Sequence, residues 1–485
     1  MMDPITTRQL AINRRMFFGR TALGVGTAAL AGLLRQDTLG ETSPSSRGVP
    51  GFPNFAPKAR RVIYLLMSGA PPHVDTFDYK PHLADFAGKE LPPSVQMGQR
   101  LSTMTANQKQ QLILPSITGF RQYGKSGAWV SDYLPHIGSI VDDVCFIKSM
   151  TTTQVNHAPA VTYFMTGAEQ PGRPSFGAWL SYGLGSANDN LPTFVVMTSR
   201  DRENTCGQLF YDHYWGSGFL PSKHQGVKLR SGGDPVLYLS NPPGISRLMR
   251  RDLLNDLDKL DEIKLSDCGD PEIATRIAQY EMAYRMQASV PELSDLSTEP
   301  REVLDMYGPD VLRPGSFAGN CLRARRLAER GVRYVQLMHA GWDHHSNLLT
   351  QFKIQCTDTD QPSAALVKDL KQRGLLDDTL VIWGGEFGRT VFGQGDRASG
   401  KFGRDHHPYC FTIWLAGGGI KPGLTYGASD DFCYNVAENP VHVHDFQATL
   451  LHLLGIDHEQ LTFKFQGRRF RLTDVEGKVV DGILT

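Results

Sequence analysis

The feature that most limits what this chain can become is a set of short, unbroken apolar runs, each closed by turn residues. The first is Arg61-Val-Ile-Tyr-Leu-Leu-Met67, ended by Ser68-Gly69-Ala70-Pro71-Pro72. A strand with one face in water alternates polar and apolar residues. A run that is apolar throughout suits a strand buried on both faces of a parallel sheet. Similar runs recur at residues 144–147, 193–197, 333–338, 379–383 and 410–415. Helical patterns fall between most of them, as at 176–184 and 361–373. Strands alternating with helices predict a doubly wound α/β fold, in which functional groups gather where strands end. Residues 76–130 carry Pro and Gly with little periodicity and read as a long excursion over the sheet. Residues 245–330 are helical and charged, and read as a helical insertion within one domain spanning 58–485.

With 485 residues, 40% of them hydrophobic and 21% charged, the chain can bury a large core. Fifty basic side chains balance fifty acidic ones. That balance gives no electrostatic case for nucleic acid or an anionic membrane, and no nucleic-acid partner is expected. Seven cysteines are dispersed without a CxxC pair. This argues against a thiolate metal site, while Cys206 could pair with Cys268 in an oxidising compartment.

The N-terminus predicts export. Asn13-Arg14-Arg15-Met16-Phe17-Phe18 precedes a small apolar run rich in Ala and Gly, and Ala29-Leu30-Ala31 fits a cleavage site. The run falls short of the ~20 strongly apolar residues of a spanning helix, and the adjacent arginines resemble a twin-arginine signal. Residues 1–34 are therefore expected to be a signal and 35–57 a linker, placing the mature chain in the periplasm or cell envelope. No integral membrane segment is expected after signal removal, and the oligomeric state stays open.

Four segments near predicted strand ends are dense in ligand-type residues. They are His339-Ala-Gly-Trp-Asp343-His344-His345, Gly385-Glu386-Phe387-Gly388-Arg389, Arg404-Asp405-His406-His407 and His442-Val443-His444-Asp445. Imidazole with carboxylate suits Zn or Mn, whereas an oxygen-only set would suit Ca or Mg. His442 and His444, two apart, would share a face on a strand.

These segments also carry a resemblance. The stretch 377–386 resembles the strand-then-acid motif of the alkaline phosphatase/sulfatase superfamily, and 444–456 resembles a late helix of sulfatases. Over nearly its full length the chain is similar to the DUF1501 family. The matching pieces include Asp75-Thr76-Phe77-Asp78-Tyr79-Lys80-Pro81, Gly341-Trp342-Asp343-His344-His345, Gly385-Glu386-Phe387-Gly388-Arg389-Thr390 and Gly403-Arg404-Asp405-His406-His407-Pro408. The resemblance implies an alkaline-phosphatase-like three-layer α/β sandwich with a mostly parallel central sheet and a helical insertion. It also implies metal ligands at Asp343, His345, Glu386 and His406 or His407. Ser68 stands where that superfamily usually has a metal-binding Asp, so Asp75 or Asp78 would have to reach back. His157, ten residues before Gly167, stands where a Ser, Thr or modified Cys nucleophile is usual. It would serve as nucleophile or ligand, with Arg389 gripping an oxyanion. The activity so implied is metal-dependent hydrolysis of a phosphate or sulfate ester, on a small molecule or a polysaccharide. The alternative is a non-catalytic metal- or ligand-binding envelope protein.

Overall fold

A computed structural model describes residues 48–203, 208–230, 235–236, 240–242, 244–397 and 400–485. The expected signal at 1–34, most of the expected linker and Cys206 lie outside these residues. The strands used below are β1 (Arg61–Ser68), β2 (Val144–Thr151), β3 (Phe194–Arg200), β4 (Val227–Leu229), β5 (Tyr334–Ala340), β6 (Thr379–Gly384), β7 (Gly388–Asp396), β8 (Lys401–His407), β9 (Phe411–Ala416), β10 (Leu424–Tyr426) and β11 (Val441–His442). Among the described residues nine of them make one sheet, ordered β10-β2-β9-β6-β1-β5-β3-β4, with β11 also pairing β2. All six apolar runs became strands of it. β1 sits centrally, parallel to β5 on one side and β6 on the other.

Alternation along β1 shows why an all-apolar run was needed. Ile63, Leu65 and Met67 enter one core, and Val62, Tyr64 and Leu66 enter the other. α1 (His157–Thr166), α2 (Phe176–Leu184) and a later helix, Val443–Leu453, supply the second core. α3 (Arg247–Cys268) and α4 (Pro271–Ser294) form an antiparallel pair further out, while α5 (Phe317–Glu329) and α6 (Leu348–Gln372) close the first core. The result is helix, sheet, helix: three layers. Each fully buried Leu, Ile or Val in β1 contributes roughly 1.5–3 kcal/mol.

Three local expectations change. The run at 410–415, read as a parallel strand, becomes a strand at 411–416 antiparallel to both neighbours, within a sheet that is mostly parallel as expected. α6 begins at Leu348, thirteen residues before the expected start, because its first half carries polar residues that are nonetheless buried. Among these, Asp360 accepts from the backbone N–H groups of His136 and Ile137, and Asp358 pairs with Arg202. His442 and His444 do not share a strand face. His442 caps a helix that starts at Val443, and His444 lies in that helix's first turn.

Candidate metal centre

β5 and β1 end side by side, and their exits are packed too tightly for side chains at one point. Gly69 follows β1 with φ +104°, and a Cβ there would stand 2.4 Å from the backbone nitrogen of Asp343. Only glycine lets the two loops cross at this separation. β7 and β8 form a hairpin outside the main sheet, with a register shift between Arg404 and His406. A Cβ at Gly403 would meet the carbonyl carbon of His345 at 2.2 Å, so β8 also lies directly on the loop after β5. These two approaches bring Asp343 and His345 from the β5 exit, His406 from β8 and His157 from the start of α1 into one group. One ligand atom from each lies within 4.8 Å of all the others.

One oxygen is the hub. Asp343 Oδ1 stands 3.0 Å from His157 Nε2, 2.9 Å from His345 Nε2 and 3.4 Å from His406 Nε2. His345 Nε2 and His406 Nε2 are 2.9 Å apart. Four donors around a zinc-sized ion with bonds of 2.0–2.1 Å would be separated by about 3.3 Å.

The far side of each ring fixes its tautomer. His406 Nδ1 lies 2.6 Å from the carbonyl oxygen of Val155, His345 Nδ1 lies 2.6 Å from Gln394 Oε1, and His157 Nδ1 lies 2.5 Å from Glu386 Oε1. A carbonyl or carboxylate oxygen only accepts, so each Nδ1 carries the proton and donates. In the neutral rings the three Nε2 lone pairs then face inward, toward one another and toward a carboxylate. Lone pairs at 2.9 Å repel unless a proton or a cation lies among them. Backing each ring with an acceptor is the arrangement by which metal-binding histidines are oriented. The donor set therefore fits a divalent cation. Phe387, buried, packs against the rings of both His157 and His406 and walls one side. The Asp343, His345 and His157 side chains keep 18–21% of their surface exposed, so the group opens to solvent.

Charge follows the same geometry. Burial works against the charge on Asp343 more than any single partner favours it, but Arg389 and the three histidines together outweigh it and hold the carboxyl well below the usual range. For His157 burial is outweighed by Asp343 and Glu386, and its pKa is raised. Burial pushes His406 down to about 4.

The residues singled out in the sequence separate into three groups. Asp343, His345 and His406 converge, and His157 joins them with both ring nitrogens engaged. Glu386, expected among the ligands, stands one step back: it accepts from His157 Nδ1 and, at 3.0 Å, from Gly69 N. Arg389 is 1% exposed, and its guanidinium donates to Asp343 Oδ1 (2.6 Å) and to the carbonyls of Gly69, Ala70 and Arg404. It is an interior cation holding Asp343 in place, which corrects its reading as a free fork for an oxyanion. Asp75 does not reach the cluster. It forms a bidentate pair with buried Arg404, at 2.7 and 2.9 Å. His407 points away, with Nε2 against the carbonyl of Tyr434. Asp78 is taken by Ser429, Lys80 and Lys148.

Two supports escaped the sequence reading. Gln394 lies on β7, a strand that none of the apolar runs covers. The Val155 carbonyl carries no side-chain signal at all.

Comparison with solved structures finds similarity to lipoteichoic acid synthase LtaP from Listeria monocytogenes, at 9% identity, covering 82% of this chain and 72% of that one, with a TM-score of 0.33. PsFucS1 sulfatase from Pseudoalteromonas sp. matches at 12% identity, covering 83% and 68%, TM-score 0.32. Alkaline phosphatase from the Antarctic bacterium TAB5 matches at 13%, covering 78% and 97%, TM-score 0.30. No curated protein matches the sequence. The family model described as "Protein of unknown function (DUF1501)" matches residues 59–484, and the chain belongs to that family.

Proposed function

We propose that this protein is a metal-dependent hydrolase of phosphate or sulfate esters, built on a single divalent ion held by His157, Asp343, His345 and His406. The observation that carries the reading is the convergence of three inward Nε2 atoms on Asp343, each ring braced at Nδ1 by an acceptor. Three nitrogens and one oxygen favour Zn or Mn over Ca or Mg. When bound, such an ion would supply Lewis acidity toward an ester oxygen and acidify water.

The residues around it supply the rest. Arg389 offsets the Asp343 charge. Glu386 holds the His157 ring in place and raises its basicity as a ligand. His157 is also the first residue of α1, whose N-terminus has no side-chain cap, so its free N–H groups favour an anion beside the ion. His157 has no nitrogen left to attack an ester, so the nucleophile in this reading is water. The test is metal analysis with release of phosphate or sulfate from aryl esters. Stoichiometric metal and turnover are expected, both lost in Asp343→Ala and His345→Ala. Metal without turnover on either ester class would sink the hydrolase reading and leave the metal.

One observation favours a second reading, a non-catalytic metal- or ligand-binding envelope protein: both nitrogens of the histidine at the nucleophile position are engaged. Thermal shifts with phosphate or sulfate esters and no product would support it. In both readings we propose export by the twin-arginine route, supported by Arg14-Arg15 ahead of the apolar run. Arg14→Lys with Arg15→Lys should trap the chain in the cytoplasm. Unchanged export would refute that route.

A further inference from the structure

α3 has two apolar faces, and the fold uses only one. Leu254, 2% exposed, lies on the buried face. On the other side Met249, Leu253, Leu257, Leu260 and Ile263 are between 38% and 63% exposed. At the helical rotation of about 100° per residue these five fall within an arc of about 120°. Their spacings of four, four, three and three residues follow the seam by which one helix packs along another. Exposed aliphatics scattered singly need no explanation, whereas five in one stripe do.

The charges beside the stripe select its occupant. Between residues 249 and 267 the six acids Asp252, Asp256, Asp258, Asp261, Glu262 and Asp267 outnumber the four bases Arg250, Arg251, Lys259 and Lys264, and that acidic excess disfavours an anionic lipid surface. A second copy of the same helix fits instead. When two α3 helices lie antiparallel about a two-fold axis beside Asp256, Met249 meets Ile263 of the second copy and Leu253 meets its Leu260. Leu257 approaches its own symmetry mate. The same operation sets Arg250 against Asp261 on one flank and Asp252 against Lys259 on the other, each pair made twice. Among the described residues Arg250 Nε is buried without a hydrogen-bond partner. Asp256, nearest the axis, has Lys259 at 3.3 Å to offset its charge.

We propose that α3 is a self-complementary docking surface through which two copies of this chain associate, α3 against α3. An isologous contact of this kind closes on itself as a dimer. It lies on the outer helical pair and does not depend on the metal reading.

Sedimentation equilibrium of the full chain tests it. A reversible monomer–dimer equilibrium is expected. Leu253→Glu with Leu260→Glu should leave only monomer with an unchanged Tm, since both side chains are exposed in one copy. Arg250→Glu alone and Asp261→Arg alone should each weaken the dimer about tenfold at low salt. The double variant should recover it, because the swapped charges meet again. A wild-type chain that stays monomeric at high concentration would overturn the proposal, as would a dimer indifferent to Leu253→Glu/Leu260→Glu. Failure of the double variant to recover would overturn the antiparallel pairing.

Discussion

Asp75 and Asp343 both follow strands of the same sheet, a few residues past β1 and β5, and both are acids beside buried arginines. Their surroundings differ in one respect. Asp75 is 0% exposed; Arg404 grips both of its oxygens, and Oδ1 also accepts from Ile117 N at 3.0 Å. The remaining donors of Arg404 go to the carbonyls of Leu114, Pro115, Thr390 and Val391. Every guanidinium nitrogen donates there, and both carboxylate oxygens of Asp75 accept. Asp343 instead has one oxygen crowded by Arg389 and three imidazole nitrogens, at a partly open surface. A sealed ion pair fixes a loop. An over-supplied acceptor, ringed by lone pairs, leaves room for a cation.

The largest effect should come from breaking the sealed pair. Asp75→Ala leaves a buried guanidinium unpaired, a loss of about 3–5 kcal/mol. Urea denaturation should show that loss equally with zinc and with a chelator. Asp343→Ala should behave oppositely. With chelator the cost should be smaller than at Asp75, because the Asp343 side chain is partly open and water can take its place beside Arg389. With zinc at 100 times its Kd the wild type should gain about 2.7 kcal/mol that the variant lacks. Metal-independent losses at both sites would erase the distinction.

A smaller change sharpens it. Glu386→Gln keeps the shape behind His157 and removes the charge. Weakening a supporting partner of this kind costs about 10–100-fold in metal affinity. Competition with a chromophoric chelator should report that shift, with the apo-protein Tm nearly unchanged. Glu386 as a direct ligand would instead give a loss as large as that of His345→Ala, and that outcome would restore the reading made from sequence.

How much of this was legible in the sequence follows from what each residue depends on. β1, β5 and β6 could be read because burial on both faces writes itself into composition as an unbroken apolar run. Asp343 and His345 could be read because they crowd one strand end. His406 could not be told from His407, since neighbours on a strand point to opposite sides. Which side faces the site was set by the register shift after Arg404. Asp75 and Glu386, expected as ligands, stand outside the converging group for a similar reason. Their partners, Arg404 and His157, lie 329 and 229 residues away, and no local pattern encodes such a pairing.

The smallest effect contrasts the open histidines with a closed one. His339 is fully buried; Nδ1 lies 3.0 Å from Ser199 Oγ and Nε2 lies 2.9 Å from Gln355 Oε1. Burial pushes its pKa down to about 4. As pH falls below about 6.5, the unfolded chain takes up the proton and the folded chain does not, so stability drops until the folded value near 4 is passed. Between pH 7 and pH 5.5 this one group should remove about 1 kcal/mol. His339→Gln should lower stability at pH 7 yet flatten the fall toward pH 5.5 by that amount, with chelator present in both measurements. If the two proteins lose stability in parallel over this interval, His339 is not the neutral, closed counterpart of the three histidines around Asp343.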